Sequence, residues 1–177
     1  FIDSFMESKP LVRKWIKSMH AHVQKTGKGY NPFGRVYHLP WAHSPKKGLK
    51  NKALRQVVNY CIQGGGSDIV NASILEINKM MSEQDLRSKQ FAAVHDSMEF
   101  DIFPGEFFNM YDIVKESCEV TVPAKHSWIK CPMKVTGELG TSWGGGIEYD
   151  IEKLGSNELK LSGGGYQCDV QDFIKAA

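Results

Sequence analysis

Residues 93–101, with the sequence AVHDSMEFD, decide how the rest of the chain is interpreted. Apolar residues lead into His95 and Asp96, and apolar positions then alternate with polar ones through Met98 and Phe100. This pattern predicts two short strands joined by a tight turn that carries the His-Asp pair. A carboxylate fixed at such a tip suits a divalent cation, which needs hard oxygen ligands in a defined geometry. Because aspartate is common in turns, the stretch in isolation favours a turn former over a metal ligand.

Length and composition indicate one globular domain, or one and a half lobes. The chain has 177 residues, 41% of them hydrophobic, which is enough to bury a core. No apolar run approaches the length of a membrane span and no signal peptide opens the chain, so we expect no membrane partner. The four cysteines lie far apart without the paired spacing of a metal site, and we expect reduced, mostly buried thiols of an intracellular protein.

The charge is divided unevenly along the chain. Residues 1–60 hold 12 lysines and arginines against 2 acidic residues, whereas residues 61–177 hold 10 against 18. Such polarity is typical of a phosphate-tracking surface joined to an acidic, cation-holding region. The alternative is two ordinary solvated faces that happen to differ, but the size of the imbalance favours a nucleic-acid partner.

Hydrophobic periodicity and turn residues predict the elements that come before the His-Asp turn. A helix is expected over residues 3–26, interrupted at Pro10 and ended by Gly27 and Gly29, and then a small hairpin over 30–39 and a loop over 40–45. A second helix is expected over 49–61. The triple glycine at 64–66 is predicted to break the chain, and Ser67 or Asp68 then caps a third helix. The later elements are a helix over 104–119, a strand over 131–139, a turn at 141–146 and an add-on over 151–177 with a hairpin near Asn157 and a brief helix near 170–175.

Polar side chains recur every four residues on the second predicted helix. Arg55, Asn59 and Gln63 therefore line one side of that helix and its exit. All three can hydrogen-bond base edges or sugars, which predicts a DNA-binding row in the minor groove. Lys50 and Lys52 precede them, and we include both in this DNA-binding set. The alternative is a polar row that simply faces solvent.

Five landmarks follow one another in a specific order. They are a Phe-x-x-x-Phe helix with Pro10, Val12 and Trp15, the sequence FGRVYHLP at 33–40, Arg-x-x-x-Asn-x-x-x-Gln-Gly-x-x-x-Asp-Ile at 55–69, Val-His-Asp at 94–96 and Gly-x-x-Trp at 140–143. Together they resemble the carboxy-terminal portion of family A DNA polymerases, the group of bacterial polymerase I and many phage replicative enzymes. The similarity extends from Phe1 to about Tyr149.

The resemblance implies an α+β fold. Residues 1–48 would form the helical end of the fingers, with a long helix and a small hairpin. Residues 49–150 would form the palm, an antiparallel sheet with packed helices and the His-Asp hairpin. Residues 151–177 would be a carboxy-terminal extension. The implied location is the cytoplasm of a bacterial or phage-infected cell.

The resemblance also implies a site and its partners. Asp96 would be one of two aspartates that hold the catalytic Mg²⁺ ions, which activate the primer 3′ hydroxyl and steady the triphosphate of the incoming dNTP. His95 would lie beside the primer terminus. Arg55, Asn59 and Gln63 would touch the minor groove of primer–template DNA, where common acceptors allow pair shape to be checked without reading sequence. Asp68 is expected to serve mainly as a helix cap.

The residue after His-Asp departs from the family pattern. Ser97 stands where the family has glutamate, and His-Asp-Ser is instead familiar from single-subunit phage-type RNA polymerases. A serine hydroxyl is a weaker metal ligand than a carboxylate. Glu99 is an alternative carboxylate, although on an alternating strand it is expected to be an exposed cross-strand partner.

Two further family motifs occur nowhere in the chain: the Asp-x-Ser-x-x-Glu strand with the other metal-binding aspartate, and the nucleotide-gripping helix that carries Arg-x-x-x-Lys with a Tyr-Gly end. One aspartate cannot hold two metals. We therefore expect this polypeptide to be inactive alone, as the terminal piece of a longer polymerase or one subunit of a split one. The alternatives are a non-catalytic nucleic-acid-binding scaffold and a fragment of a phage-type RNA polymerase. The apolar stripe of the first helix predicts a seam for the missing fingers helices.

Overall fold

The computed structural model places the chain in two compact units. The described residues are 2–140, 142–143, 149–153, 159–163 and 166–169. The units are Phe1–Ala72 and Ser73–Ala177, and each combines helices with antiparallel strand pairs. The predicted α+β class is therefore confirmed. The predicted limits of fingers, palm and extension (1–48, 49–150, 151–177) concern functional subdomains and stay predictions.

The first unit begins with two helices separated at Pro10. Its elements are α1 (Ile2–Ser8), α2 (Pro10–Thr26), β1 (Lys28–Tyr30), β2 (Val36–His38) and the first part of α3 (Lys47–Glu83). Proline has no amide hydrogen, so it begins a helix at no cost in hydrogen bonds and Pro10 occupies the first turn of α2. Gly27 ends α2 in the left-handed region at a φ of 67°, donating its amide to the Val23 carbonyl. The predicted interruption and stop are both confirmed.

Apolar side chains from α2, the following turn and α3 form the core of the first unit. Its buried members are Val23, Leu39, Ala42, Ala53 and Val57. Burying a valine or leucine side chain fully contributes about 1.5–3 kcal/mol. Residues 40–45 were predicted as loop, but Pro40–His43 form a 3-10 turn, because Ala42 packs into this core.

The predicted break at the triple glycine is wrong. Helix α3 runs without interruption over 37 residues, so Ser67 and Asp68 lie in its interior and cap nothing. Each glycine disfavours helix by about 1 kcal/mol relative to alanine. The β1–β2 hairpin packs against this part of α3: a Cβ on Gly64 would overlap the Tyr37 hydroxyl oxygen. Glycine is thus required at position 64 for close approach, and the contact with the hairpin offsets the unfavourable helix propensity.

The second unit contains two antiparallel sheets and a packed helix. Its elements after α3 are β3 (Lys89–Val94), β4 (Ser97–Asp101), α4 (Phe107–Lys115), a π-helical turn (Glu116–Thr121), α5 (Val122–Lys125), β5 (Glu138–Leu139), β6 (Tyr149–Lys153), β7 (Leu159–Gly163) and β8 (Tyr166–Asp169). Strands β3 and β4 pair with each other, and the other sheet has the order β5-β6-β7-β8. The pairing of β6 with β7 confirms the hairpin near Asn157. The connecting residues 154–158, the glycines at 144–146 and the predicted helix near 170–175 lie outside the described residues.

The helix after the His-Asp hairpin is longer than predicted and contains a π-helical turn, in which the Val122 amide donates to the Ser117 carbonyl five residues earlier. The widening precedes Pro123, which lacks an amide hydrogen and whose ring crowds the preceding turn. Buried residues from α3, α4 and this turn make the core of the unit: Ile77, Met81, Met110, Ile113 and Cys118.

The strand predicted over residues 131–139 is mostly wrong. Only Glu138–Leu139 pair in a sheet. The segment is held instead by side chains: the Val135 amide donates to Glu119 at 2.9 Å, and Lys115 donates to the Val135 carbonyl at 3.3 Å. Burial raises the pKa of Glu119, but its bonds with Lys115 and Val135 outweigh this and lower the pKa to about 2. The Lys115–Glu119 ion pair thus supplies the hydrogen bonds that a partner strand would otherwise make to the Val135 backbone.

The cysteines only partly match the expectation of mostly buried thiols. Cys118 is buried, Cys61 is half-buried and Cys131 is exposed, and all three are free thiols. The Cys168 side chain lies outside the described part. Among the described helices, none is both long enough and apolar enough to cross a membrane.

Candidate functional site

The His-Asp pair forms the tip of the β3–β4 hairpin, as predicted. Val94 pairs with Ser97, so the connecting loop consists of His95 and Asp96 alone. His95 has a φ of 57°, at the position of a two-residue loop where glycine usually supplies the positive φ. Both side chains are exposed. The hairpin therefore presents one imidazole and one carboxylate at a tight, strained tip.

A single carboxylate ties the two ends of this hairpin together. Glu106 accepts hydrogen bonds from the Arg87 amide at 2.8 Å, the Ser88 amide at 2.8 Å and the Ser88 hydroxyl at 2.7 Å. The Ser88 hydroxyl oxygen in turn accepts from the Phe103 amide at 3.0 Å. Burial raises the pKa of Glu106, but these hydrogen bonds outweigh it and lower the pKa overall. Sequence reasoning missed this clamp, and its only signal was an acidic residue in the turn that leaves β4.

Ser97 and Glu99 lie side by side on β4. The Ser97 hydroxyl oxygen is 2.9 Å from a Glu99 carboxylate oxygen and 3.0 Å from the Val94 carbonyl oxygen. Glu99 is half-buried and is paired in register with Ala92. The expected cross-strand pairing is thus confirmed, but the expected exposure is wrong, because the carboxylate turns along its own strand toward the serine hydroxyl.

A bulge in β3 brings two of the sequence landmarks together. Pairing shifts between Gln90 and Ala92, which leaves Phe91 as the extra residue and re-aims its side chain. The Phe91 ring contacts the Trp143 ring edge to face, with centroids 6.3 Å apart. The closing Gly-x-x-Trp motif is thus placed against the strand that leads to His95.

The predicted DNA-binding row lies on α3 in the first unit. Arg55, Asn59 and Gln63 are all exposed on successive turns. The Asn59 side-chain nitrogen Nδ2 donates to the Gln63 side-chain oxygen at 3.2 Å. Lys52 is exposed and Lys50 is half-buried. The first unit thus brings the predicted row together, while His95 and Asp96 belong to the second unit.

A polar cluster elsewhere in the first unit was not predicted. Asp68 accepts hydrogen bonds from Arg35 (Nε at 3.0 Å and Nη2 at 2.5 Å) and from the Asn31 side-chain nitrogen Nδ2 at 2.6 Å. Asn31 and Asp68 are only 4% and 7% exposed. The hydrogen bond from Arg35 is the main cause that lowers the pKa of Asp68. The expected role of Asp68 as a helix cap is wrong: it is an ion-pair partner 33 residues away from Arg35.

Potential metal ligands are not clustered in the described part of the chain. Its residues include no group of three or more His, Cys, Asp or Glu side chains placed to hold a metal ion. An open groove of about 560 Å³ lies on the second unit without touching His95 or Asp96. Its lining consists of Met80, Gln84, Asn109, Asp112, Ile113, Lys115, Glu116, Glu119 and Val120. Asp96 therefore stands as one candidate ligand and not as a complete metal site.

Comparison with known proteins identifies the family. The family described as DNA polymerase family A matches residues 1–145 of this chain. The chain belongs to DNA polymerase family A. The resemblance seen in the order of the motifs is thereby confirmed.

Individual relatives of this family A chain include phage and bacterial enzymes. It is 31% identical over 158 residues to the DNA polymerase of Bacillus phage SP01, covering 87% of this chain and 17% of that relative. It is 27% identical over 142 residues to DNA polymerase I of Mycobacterium tuberculosis, covering 80% and 15%. The chain thus spans less than a fifth of these relatives. Their names favour a DNA polymerase over the RNA polymerase alternative.

The fold also resembles that of a solved polymerase domain. The structure of the POL domain of Pol1 from M. smegmatis, in complex with DNA primer-template and dNTP, superposes with a TM-score of 0.64. The match has 24% sequence identity and covers 67% of this chain and 21% of that one. The α+β fold of a family A polymerase domain is therefore common to both.

Proposed function

We propose that this chain is one part of a template-directed DNA polymerase, to which it contributes a catalytic aspartate and primer–template contacts. The observation that carries the proposal is the position of Asp96, exposed at the two-residue tip of a clamped hairpin in a family A member. A carboxylate held on rigid strands keeps its place while DNA and nucleotide exchange around it. The reaction is nucleotidyl transfer from a dNTP to a primer 3′ end.

Asp96 offers the type of ligand that Mg²⁺ prefers, but a single carboxylate is too few ligands to hold the ion. A carboxylate is a preferred Mg²⁺ ligand, and the ion demands near-octahedral coordination by oxygen atoms. Bound there, Mg²⁺ would lower the pKa of the primer 3′ hydroxyl and neutralise charge on the triphosphate. The other aspartate and the nucleotide-gripping helix would come from an upstream portion, in the same or another chain. His95 would lie next to the primer terminus, and Ser97 beside the metal site would add little because its hydroxyl is uncharged.

The exposed row on α3 would contact the primer–template duplex. Arg55, Asn59 and Gln63 present hydrogen-bonding groups on successive turns, and Asn59 already orients Gln63 through a direct hydrogen bond. Acceptors in the minor groove are common to all base pairs, so such contacts sense pair shape rather than sequence. Lys50 and Lys52 would attract the phosphate backbone. The basic balance of residues 1–60 supports this assignment.

The amino-terminal helices would pack against the upstream portion. Phe5, Leu11 and Val12 are 49%, 80% and 42% exposed, although all three belong to the apolar stripe of the first predicted helix. Expressed alone, the chain should expose this stripe and self-associate. A compact monomer with sharp thermal unfolding would contradict this seam.

The test is primer extension with Mg²⁺ by the assembly purified from its native source, comparing wild type with Asp96→Asn. A metal ligand contributes several kcal/mol to the transition state, so we expect extension to slow by about 10³-fold while primer–template binding persists. Asp101→Asn is the matched control, since it makes the same chemical change at the exposed end of β4 and should leave extension unchanged. Equal extension by Asp96→Asn would rule the proposal out.

Ser97 favours a second candidate function, a non-catalytic nucleic-acid-binding scaffold that keeps the palm fold. This scaffold would bind primer–template through α3 and extend nothing. The two functions separate on the wild-type assembly itself: binding without extension in the presence of Mg²⁺ and all four dNTPs would favour the scaffold.

A further inference from the structure

The β1–β2 hairpin lies along one face of α3, over the segment that contains the glycines. The Tyr37 ring stacks on Tyr60 with centroids 5.0 Å apart, and its hydroxyl lies where a Cβ on Gly64 would be. The Cys61 thiol donates to the Tyr30 carbonyl at 3.1 Å. These contacts recur at a spacing of three or four residues, which keeps them on one side of a helix. The hairpin is therefore a splint that follows α3 for several turns.

The far end of the splint is the buried cluster on Asp68. Arg35 grips the Asp68 carboxylate with two nitrogen atoms, Nε and Nη2, and Asn31 donates a further hydrogen bond. Asn31 also holds the hairpin loop, because its side-chain oxygen accepts from the Phe33 and Arg35 amides at 3.1 and 3.0 Å. Two-pronged, charge-assisted contacts of this kind are strong and geometrically specific. The cluster thus fixes the loop to the helix one turn beyond Gly64.

The glycines lie between the two ends of this splint. Residues 64–66 disfavour helix on their own, and they follow Gln63 directly. The Tyr60 contact holds α3 before the glycines and the Asp68 contact holds it after them. If the Asp68 contact is lost, the glycine segment is free to leave the helical conformation, and Gln63 loses its fixed place in the row with Arg55 and Asn59.

We propose that Arg35 and Asp68 are positioning residues for Gln63, acting by keeping the glycine segment of α3 helical. The inference rests on the proposed function, in which Gln63 contacts primer–template DNA. Asp68 itself is buried and its carboxylate is taken up by Arg35 and Asn31, so we expect any effect of its substitution on DNA affinity to be transmitted through the helix.

The test is a double-mutant cycle on primer–template affinity, measured with a fluorescent duplex and the native polymerase assembly. The variants are Asp68→Asn, Gln63→Ala and the two together. Asp68→Asn removes a negative charge, which by itself would strengthen DNA binding; we expect instead a weakening of about tenfold. Gln63→Ala should weaken binding by a similar factor. The double variant should bind about as weakly as either single variant, because both changes remove the same contact.

Two further variants separate positioning from general damage. Asp85→Asn makes the same charge change at an exposed residue whose positive φ asparagine tolerates, and it should not weaken binding. Gly66→Ala raises helix propensity at a position where an added Cβ meets nothing within 4 Å. Added to Asp68→Asn, it should restore affinity about threefold without restoring the ion pair.

The outcomes are distinct. Additive losses, or no rescue by Gly66→Ala, overturn the positioning role and leave the proposed function standing. No loss in Gln63→Ala overturns the minor-groove contact and this inference together. If Asp68→Asn does not fold, Arg35→Lys takes its place, since lysine keeps the charge but lacks the two-nitrogen grip.

Discussion

The two hairpins that carry the family motifs are fastened in opposite ways. The β1–β2 hairpin is held at its loop, where Asn31 and Arg35 meet Asp68 on α3. The β3–β4 hairpin is held at its base, where Glu106, after β4, accepts hydrogen bonds from Arg87 and Ser88, before β3. Its tip, with Asp96, stays exposed. A hairpin fastened at its tip can only support its neighbour, whereas one fastened at its base presents its tip to a ligand.

The largest effect is expected from removing the hydrogen bonds that hold the base of the second hairpin. Glu106→Ala leaves the Arg87 and Ser88 amides without their acceptor, so the strands splay and Asp96 shifts. A misplacement of about 1 Å can slow catalysis about 100-fold, and we expect a loss of this size in primer extension. The control is Glu83→Ala, which removes an exposed glutamate at the end of α3 whose ion pair with Lys79 is long, at 3.8 Å. Equal losses in the two variants would contradict a clamp at Glu106.

Adding a methyl group at the contact between the first hairpin and α3 should lower the free energy of unfolding rather than the rate of primer extension. Gly64→Ala forces a methyl group against Tyr37, whose ring is stacked on Tyr60. Overpacking of this kind costs about 1–3 kcal/mol. Gly66→Ala, where the new methyl group has open space, should instead stabilise by up to about 1 kcal/mol. Denaturant unfolding measures both, and the same sign for the two variants would rule out the close approach at Gly64.

A smaller effect is expected at the tip of the second hairpin. His95 holds a positive φ that costs a non-glycine residue roughly 1–2 kcal/mol, while glycine costs more chain entropy on folding. His95→Gly should therefore stabilise the folded state by up to about 1 kcal/mol and slow primer extension, because the imidazole is lost. Thermal unfolding and extension rates on the same preparation check this. A variant that is both less stable and fully active would contradict a strained, functional tip.

The smallest effect is a shared sensitivity to acid. The pKa values of Asp68 and Glu106 are both lowered in the folded protein. Their stabilising effect is therefore complete above the ordinary carboxyl pKa of about 4 and is lost as the pH falls below it. Stability measured from pH 6 to pH 3 should fall less steeply in Asp68→Asn and in Glu106→Gln than in wild type. Parallel pH profiles would show that neither carboxylate is linked to folding.

What the sequence predicted well is local. The His-Asp hairpin follows from alternation and a two-residue turn within nine residues, and the Pro10 interruption and Gly27 stop are properties of single residues. The row on α3 follows from a spacing of four. Each signal depends on neighbours in the chain, so no tertiary contact was needed to read it.

What the sequence could not predict depends on distant contacts. The glycine triplet looked like a break because nothing near it in sequence shows that Tyr37 packs on Gly64. Apolar and polar residues alternate over 131–139 as in a strand, yet the backbone groups of Val135 bond to the side chains of Glu119 and Lys115. Asp68 resembled a cap because its partner Arg35 is 33 residues away. In each case a tertiary contact overrode a correct local preference.

The most direct measurement is metal binding by the native assembly with primer–template and a non-reactive dNTP analogue. Mn²⁺, which takes the same oxygen ligands as Mg²⁺, is followed by electron paramagnetic resonance in wild type, Asp96→Asn and Asp101→Asn. If Asp96 is a metal ligand, Asp96→Asn should weaken Mn²⁺ binding at least about tenfold, while Asp101→Asn binds as wild type does. Unchanged Mn²⁺ affinity in Asp96→Asn would contradict the assignment of Asp96 to the polymerase metal site.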